Sequence, residues 1–260
     1  MKEIKEEIIK NTKEASNIAI ANAACAPATI VADYLKTKMQ LSTTENSSTS
    51  YRKIIKETYE KKGAGRFFKG MLDHSVRNGC SCFLSSTFLV AAKKEAEKMD
   101  LSANAKAGAM ILSSGMGESL TLPIESFEIK QKAGLSLSPS QTLQRGLKAA
   151  PAILGRNLTY GAGIVIPYTL GFSPAASFLT GATSGIASLP FDTTATRSFE
   201  SNTSAAKTIK NIISQNINNP KQLTKTLAAG ACARGAGIGT FSLATNLMLK
   251  YNEESNERNR

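Results

Sequence analysis

Tryptophan is absent from this 260-residue chain, histidine occurs once, and aromatic residues make up 6 %. With His74 alone, no His-based acid–base or nucleophilic pair can be assembled, and the residue is expected near a membrane interface. Metal ligands are equally scarce. Cys25, Cys80, Cys82 and Cys232 all fall in apolar stretches, where reduced cysteine behaves as a small apolar residue. A Cys-x-Cys without neighbouring histidine is a poor zinc pattern. Gly63-Ala-Gly65-Arg-Phe-Phe-Lys-Gly70 lacks the Gly-Lys-Ser/Thr ending of a phosphate loop, and Gly181-Ala-Thr-Ser184-Gly185 puts its serine one place wrong for a nucleophile elbow. No catalytic constellation results, so an enzyme is not expected, nor any cofactor or metal. Long uninterrupted apolar runs are missing too, and the mean hydropathy is only −0.15.

What the chain does have is a block that occurs three times. Each time an apolar stretch ends in an acid followed five residues later by a base: Asp33 to Lys38, Glu125 to Lys130, Asp192 to Arg197. A basic, polar segment follows, then a second apolar stretch carrying one arginine. Those arginines, Arg77, Arg156 and Arg234, stand 79 and 78 residues apart. A tandem repeat has to be settled first, because missing it mis-assigns the fold. Each repeat reads as two apolar helices joined by a charged linker. Small residues crowd the apolar stretches, as in Gly181 with Gly185 and Arg234-Gly-Ala-Gly237-Ile-Gly239. That composition is poor for a soluble core and suits helices that approach closely in lipid.

The spans expected are about 15–35, 75–92, 105–129, 152–172, 175–196 and 227–249. Arg77, Glu118, Arg156 and Arg234 interrupt four of them, so hydropathy alone leaves a soluble helical repeat open. Charge placement favours the membrane. Segments 36–70, 130–148 and 197–225 carry net charges of +6, +4 and +4, whereas 1–14, 93–106 and 250–260 carry 0, +1 and 0. Six spans with both termini on the poorer side give this alternation, which is the positive-inside rule repeated three times. A net charge of +12 also fits nucleic-acid binding, but no such motif is present and aromatics do not interleave with the bases as a stacking platform needs. No nucleic-acid partner is expected.

The blocks Leu122-Pro123-Ile-Glu125 and Leu189-Pro190-Phe191-Asp192-Thr-Thr-Ala-Thr-Arg197 resemble the signature of the mitochondrial carrier family. The first repeat keeps Asp33-Tyr-Leu-Lys36-Thr-Lys38-Met-Gln40 but has Val31 where the proline belongs, and Tyr51–Gly70 is similar to the family's surface helix and its link to the even helix. The resemblance covers about residues 15–250. It implies an all-α membrane protein, a single carrier domain over 1–260 with repeats at about 15–99, 100–173 and 174–251. Six transmembrane helices in three pairs would stand pseudo-threefold around a central cavity. Physics supports an inward placement, because an ionised residue at mid-bilayer costs roughly 2.5–3.5 kcal/mol unless it meets water or a partner. Pro123 and Pro190 are expected to kink their helices toward the axis.

The resemblance further implies alternating access, with substrate among Arg77, Arg156, Asn157 and Arg234. Three guanidiniums suit an anion. Arg234-Gly-Ala-Gly is similar to the sixth helix of adenine-nucleotide carriers, whereas Arg156-Asn157 looks like carriers of keto acids and other carboxylates. The balance leans to a nucleotide or other phosphorylated anion, moved by antiport, with carboxylates as the alternative. A closing salt-bridge network would involve Asp33, Lys36, Gln40, Glu125, Glu128 and Asp192. Of the three expected bases only Lys36 survives, the others being Glu128 and Ala195. The network is therefore expected to hold about one pair, with Glu128 opposing closure unless a base reaches it and Lys130 or Arg197 as possible substitutes. Lysine at 128 and 195 is expected to restore it. On the far side Lys93 and Lys250 lack a convincing acid, and the middle repeat is short enough to lose its surface helix. These losses suit a rival reading, a non-transporting carrier-like scaffold. A monomer in the mitochondrial inner membrane is expected, with cardiolipin as a lipid partner on the basic-loop side. The Lys/Glu-rich segment Met1–Ser16 is unlike a transit or signal peptide, so targeting would be internal. Lys-, Asn- and Ile-rich loops hint at an AT-rich microbial genome, which would make a host organelle the alternative location.

Overall fold

The computed structural model describes residues 2–42, 50–68 and 71–258, all of whose regular structure is helical. The elements are α1 (Lys2–Ser42), α2 (Tyr51–Lys62), a short 3-10 turn (Ala64–Phe68), α3 (Met71–Lys98), α4 (Ala103–Ser119), α5 (Leu122–Ala133) and α6 (Pro139–Thr169). They continue with α7 (Pro174–Ala187), α8 (Leu189–Ser201), α9 (Ala205–Asn216), α10 (Pro220–Leu227) and α11 (Ala231–Arg258). Local chemistry sets the boundaries. Ser138-Pro139, Ser173-Pro174 and Asn219-Pro220 each place a capping side chain before a proline in the first helical turn, where the missing N–H costs nothing. Ser138 and Gln141 form a reciprocal capping box.

Six of the helices close into a ring: α1 packs on α3, α3 on α4, α4 on α6, α6 on α7, α7 on α11, and α11 on α1. Inside it α1, α5 and α8 meet one another pairwise. Pro123 and Pro190 do not kink continuous helices. They sit in the first turn of α5 and α8, and the chain breaks just before each of them. At the breaks the Thr121 and Ser188 hydroxyls donate to Glu118 O (2.7 Å) and Gly185 O (2.8 Å). The first repeat has a break of its own, because residues 9–24 and 29–41 of α1 are bent by 69°. Pro27 falls in that interval. In the middle repeat, residues 134–138 form no helix between α5 and α6, as its length led one to expect.

Small residues bring backbones together. A Cβ on Gly181 would fall 2.4 Å from Ser242 Cβ, and one on Gly185 would fall 3.0 Å from Arg234 O, so α7 lies directly on α11. The Ser242 hydroxyl reaches the carbonyls of Gly163 and Ser177, both at 2.9 Å. Large apolar side chains lie at the surface while charged ones are inside: Ile20 (68 % exposed), Leu179 (64 %), Leu112, Met116 and Leu120 face outward, while Lys36, Glu118, Glu125, Glu128, Lys132, Arg156 and Asp192 are buried. No single helix among the described residues is long and apolar enough to cross a membrane; only the bent halves of α1 pass together. The breaks explain part of this, since α4, α5, α7 and α8 are 17, 12, 14 and 13 residues long. Inward polar residues lower the hydropathy of α3, α6 and α11.

Candidate functional site

Where α1, α5 and α8 meet, the three repeat acids come together with bases from several helices. Lys36 lies 3.2 Å from Asp33 and 2.9 Å from Asp192. Its chain passes beside Gly230, whose φ of +87° favours glycine and where a Cβ would fall 2.4 Å from Lys36 Cγ. Lys132 lies 2.5 Å from Asp33 and also pairs with Glu128. Arg156 holds Glu125 in a two-pronged contact, Nη1 at 2.5 Å and Nη2 at 2.9 Å, and stands 3.4 Å from Asp192. Gln40 donates to Asp192 (2.8 Å) and accepts from the Thr196 hydroxyl (3.0 Å).

The network therefore is not reduced to the single pair expected. Lys36, Lys132 and Arg156 serve Asp33, Glu125 and Asp192. Nor does Glu128 stand as an uncompensated charge: Arg77 Nε is 2.5 Å away, His74 Nδ1 is 2.6 Å away, and Lys132 pairs with it. Neither substitute considered from the sequence takes part in these carboxylate pairs. Lys130 lies over the Phe127 ring at 5.8 Å, and Arg197 donates to the Gln40 carbonyl at 3.3 Å. The base that reaches is Lys132, seven residues beyond Glu125 and four beyond Glu128, a spacing that keeps one helix face.

His74 is enclosed by the protein rather than presented at its surface. It is 2 % exposed, with Asn78 3.1 Å from Nε2. Asp33, His74 and Glu128 place ligand atoms within 4.8 Å of one another, close enough to suggest a metal. The Lys132 ammonium stands among the same atoms, so a cation already occupies the position a metal would take.

Adjoining the network is a partly open cavity, with Arg77, Glu118, Tyr160 and Arg234 in its wall alongside Ser81 and Ser114. Arg77 and Arg234 border both the cavity and the network, whereas Arg156 borders only the network. Asn157 is wholly buried; it accepts from Arg156 and donates to Ser119 at 3.2 Å. The Arg234 guanidinium lies 5.3 Å over the Tyr160 ring, and its buried Nε and Nη2 make no hydrogen bond.

Toward the chain termini, Ile18, Leu89, Val90, Met110, Val165 and Leu249 form a buried apolar cluster. Beyond it Lys93 Nζ lies 2.6 Å from Glu253, which also accepts from the Tyr168 hydroxyl. Burial pushes the Glu253 carboxyl up, but the hydrogen bonds from Lys93 and Tyr168 and the Lys93 charge outweigh it and hold it below its ordinary range. The acid found wanting on this side is thus Glu253. Lys250 donates instead to the Phe172 carbonyl (3.1 Å).

Residues 12–99 match the family model described as mitochondrial carrier protein. Over this stretch, about a third of the chain, the sequence is similar to mitochondrial carriers. The match runs through α1, α2 and α3 and stops one residue past Lys98, the end of α3. Mitochondrial carriers are transporters rather than enzymes, so a solute carrier acting on a small molecule in a lipid environment is supported. No curated protein matches the chain.

Proposed function

We propose that the chain is a six-span carrier that moves an organic anion by alternating access, with substrate bound in the cavity against Arg234 and Arg77. The observation that carries this is a polar cavity between two closures of different chemistry. On one side stands the Lys36–Lys132–Arg156 network with its acids; on the other stands the apolar cluster backed by Lys93–Glu253. Alternating access needs two such closures, opened in turn. The outward apolar residues and buried charges suit a bilayer around the ring of helices, and the three basic segments would then share one side. Family members are typically proteins of the mitochondrial inner membrane, the location we propose.

Between the two substrate classes, the pairings favour a small carboxylate over a nucleotide. Arg77 and Arg156 already carry Glu128 and Glu125, which leaves Arg234 as the one of the three guanidiniums with no ion pair among the described residues and with two buried nitrogens unbonded. One such donor set matches a carboxylate better than a multiply charged phosphate chain. The scaffold alternative is disfavoured because both closures carry paired charges.

Uptake by purified protein in liposomes tests the reading. Carboxylates should enter faster than nucleotides. Arg234→Ala should lower uptake about ten- to hundredfold, the effect of losing one charge-assisted contact of roughly 1.5–3 kcal/mol. Nucleotide uptake that exceeds carboxylate uptake would reverse the substrate assignment, and full activity of Arg234→Ala would remove this residue from the site.

A further inference from the structure

We propose that Glu118 is a specificity-determining residue that holds the ammonium group of a zwitterionic carboxylate while Arg234 holds its anionic end. This deepens the carrier reading and rests on it. Glu118 is 8 % exposed and lines the cavity. Unlike Asp33, Glu125, Glu128 and Asp192, its carboxylate makes no hydrogen bond or ion pair among the described residues; the bonds given for Glu118 are to its backbone carbonyl, from Thr121 and Leu120. The arginines within electrostatic reach are Arg156, Arg77 and Arg234. Arg156 is committed to Glu125, and Arg77 to Glu128 and Asn78. Arg234 keeps two buried nitrogens unbonded.

The cavity wall thus offers one unused cationic donor set and one unused carboxylate. A substrate with only negative charge would bring that charge up against Glu118, and like charges close together in a partly enclosed cavity repel. A substrate with both an acid and an ammonium group satisfies both sites at once. Selectivity then comes from the repulsion of the wrong ligand as much as from attraction of the right one. The serine hydroxyls of the wall accept as well as donate, so they tolerate either end of the molecule.

Matched pairs of an amino acid and its des-amino keto or hydroxy acid test this with the full chain in liposomes. The wild type should prefer the amino acid about ten- to hundredfold, the value of one charge-assisted contact. Glu118→Gln should bring the ratio near parity by losing amino-acid uptake and gaining des-amino uptake. Glu118→Asp should keep most of the preference. Melting of each variant in detergent establishes that it is folded, and stabilisation of that melt by each ligand gives a binding readout independent of transport. Three results would overturn the proposal: preference for the des-amino partner, an unchanged ratio in Glu118→Gln, or des-amino uptake driven by an inward proton gradient that Glu118→Gln abolishes. The last would make a proton the companion cation. Absence of all uptake would instead sink the carrier reading, and ligand stabilisation would then decide the Glu118 assignment alone.

Discussion

Lys132 holds two buried carboxylates at once, Asp33 and Glu128. Removing one partner of a buried ion pair costs roughly 3–5 kcal/mol, because the other charge is left without compensation. Lys132→Met should therefore lower the melting temperature in detergent clearly, by an effect near the low end of that range since the network borders open space. Lys130→Met, two residues away against Phe127, should change it little. Equal melting of the two variants would remove Lys132 from the network. Glu128→Lys is now expected to destabilise, the reverse of the effect expected from the sequence, since it would set a lysine beside Arg77 and Lys132. The three arginines and three repeat acids could be found from spacing alone. Lys132 was missed because the family pattern directs attention three residues beyond each acid; the helical spacings of four and seven would have found it. His74 carries a quieter signal, lying three and four residues before Arg77 and Asn78 on the same face of α3. Glu253 had no local signal, because its partner Lys93 is 160 residues away.

Among the elements, the α7–α11 contact depends on the absence of side chains. Gly181→Leu would drive carbon into Ser242, whose Cβ lies only 2.4 Å from where a Cβ on residue 181 would stand. Overpacking of this kind typically costs about 1–3 kcal/mol, so the variant should melt earlier in detergent, while Gly108→Leu, which meets nothing within 4 Å, should not. Similar melting of both variants would show that α7 and α11 do not pack this closely. The spacing of Gly181 and Gly185 already pointed to such a contact. Proline marked where α5 and α8 begin, though as a break between two helices rather than a bend within one. Sequence reading joined α4 to α5 and α7 to α8 as single spans because Leu120–Leu122 and Ser188–Leu189 contain no charged residue, glycine or proline to mark a break.

On the scale of the whole molecule, three basic segments, an outward apolar surface and an inward charged network form one consistent arrangement if a bilayer surrounds the ring of helices. Charge alternation along the sequence contained that arrangement; hydropathy did not, because the arginines and acids that would fill the centre also interrupt every helix that would carry them. The closing of the ring by α1 and α11 was likewise beyond local pattern, since it joins the two ends of the chain. The most direct measurement is sidedness. Single cysteines at Lys56, Ser140 and Lys210, all exposed, would be introduced into a Cys-free protein in sealed membranes and treated with an impermeant thiol reagent. A second set would stand at Lys13, Asp100 and Glu254. A six-span carrier requires the first three to react from one face and the last three from the other; reaction of any one of the six from the wrong face contradicts it.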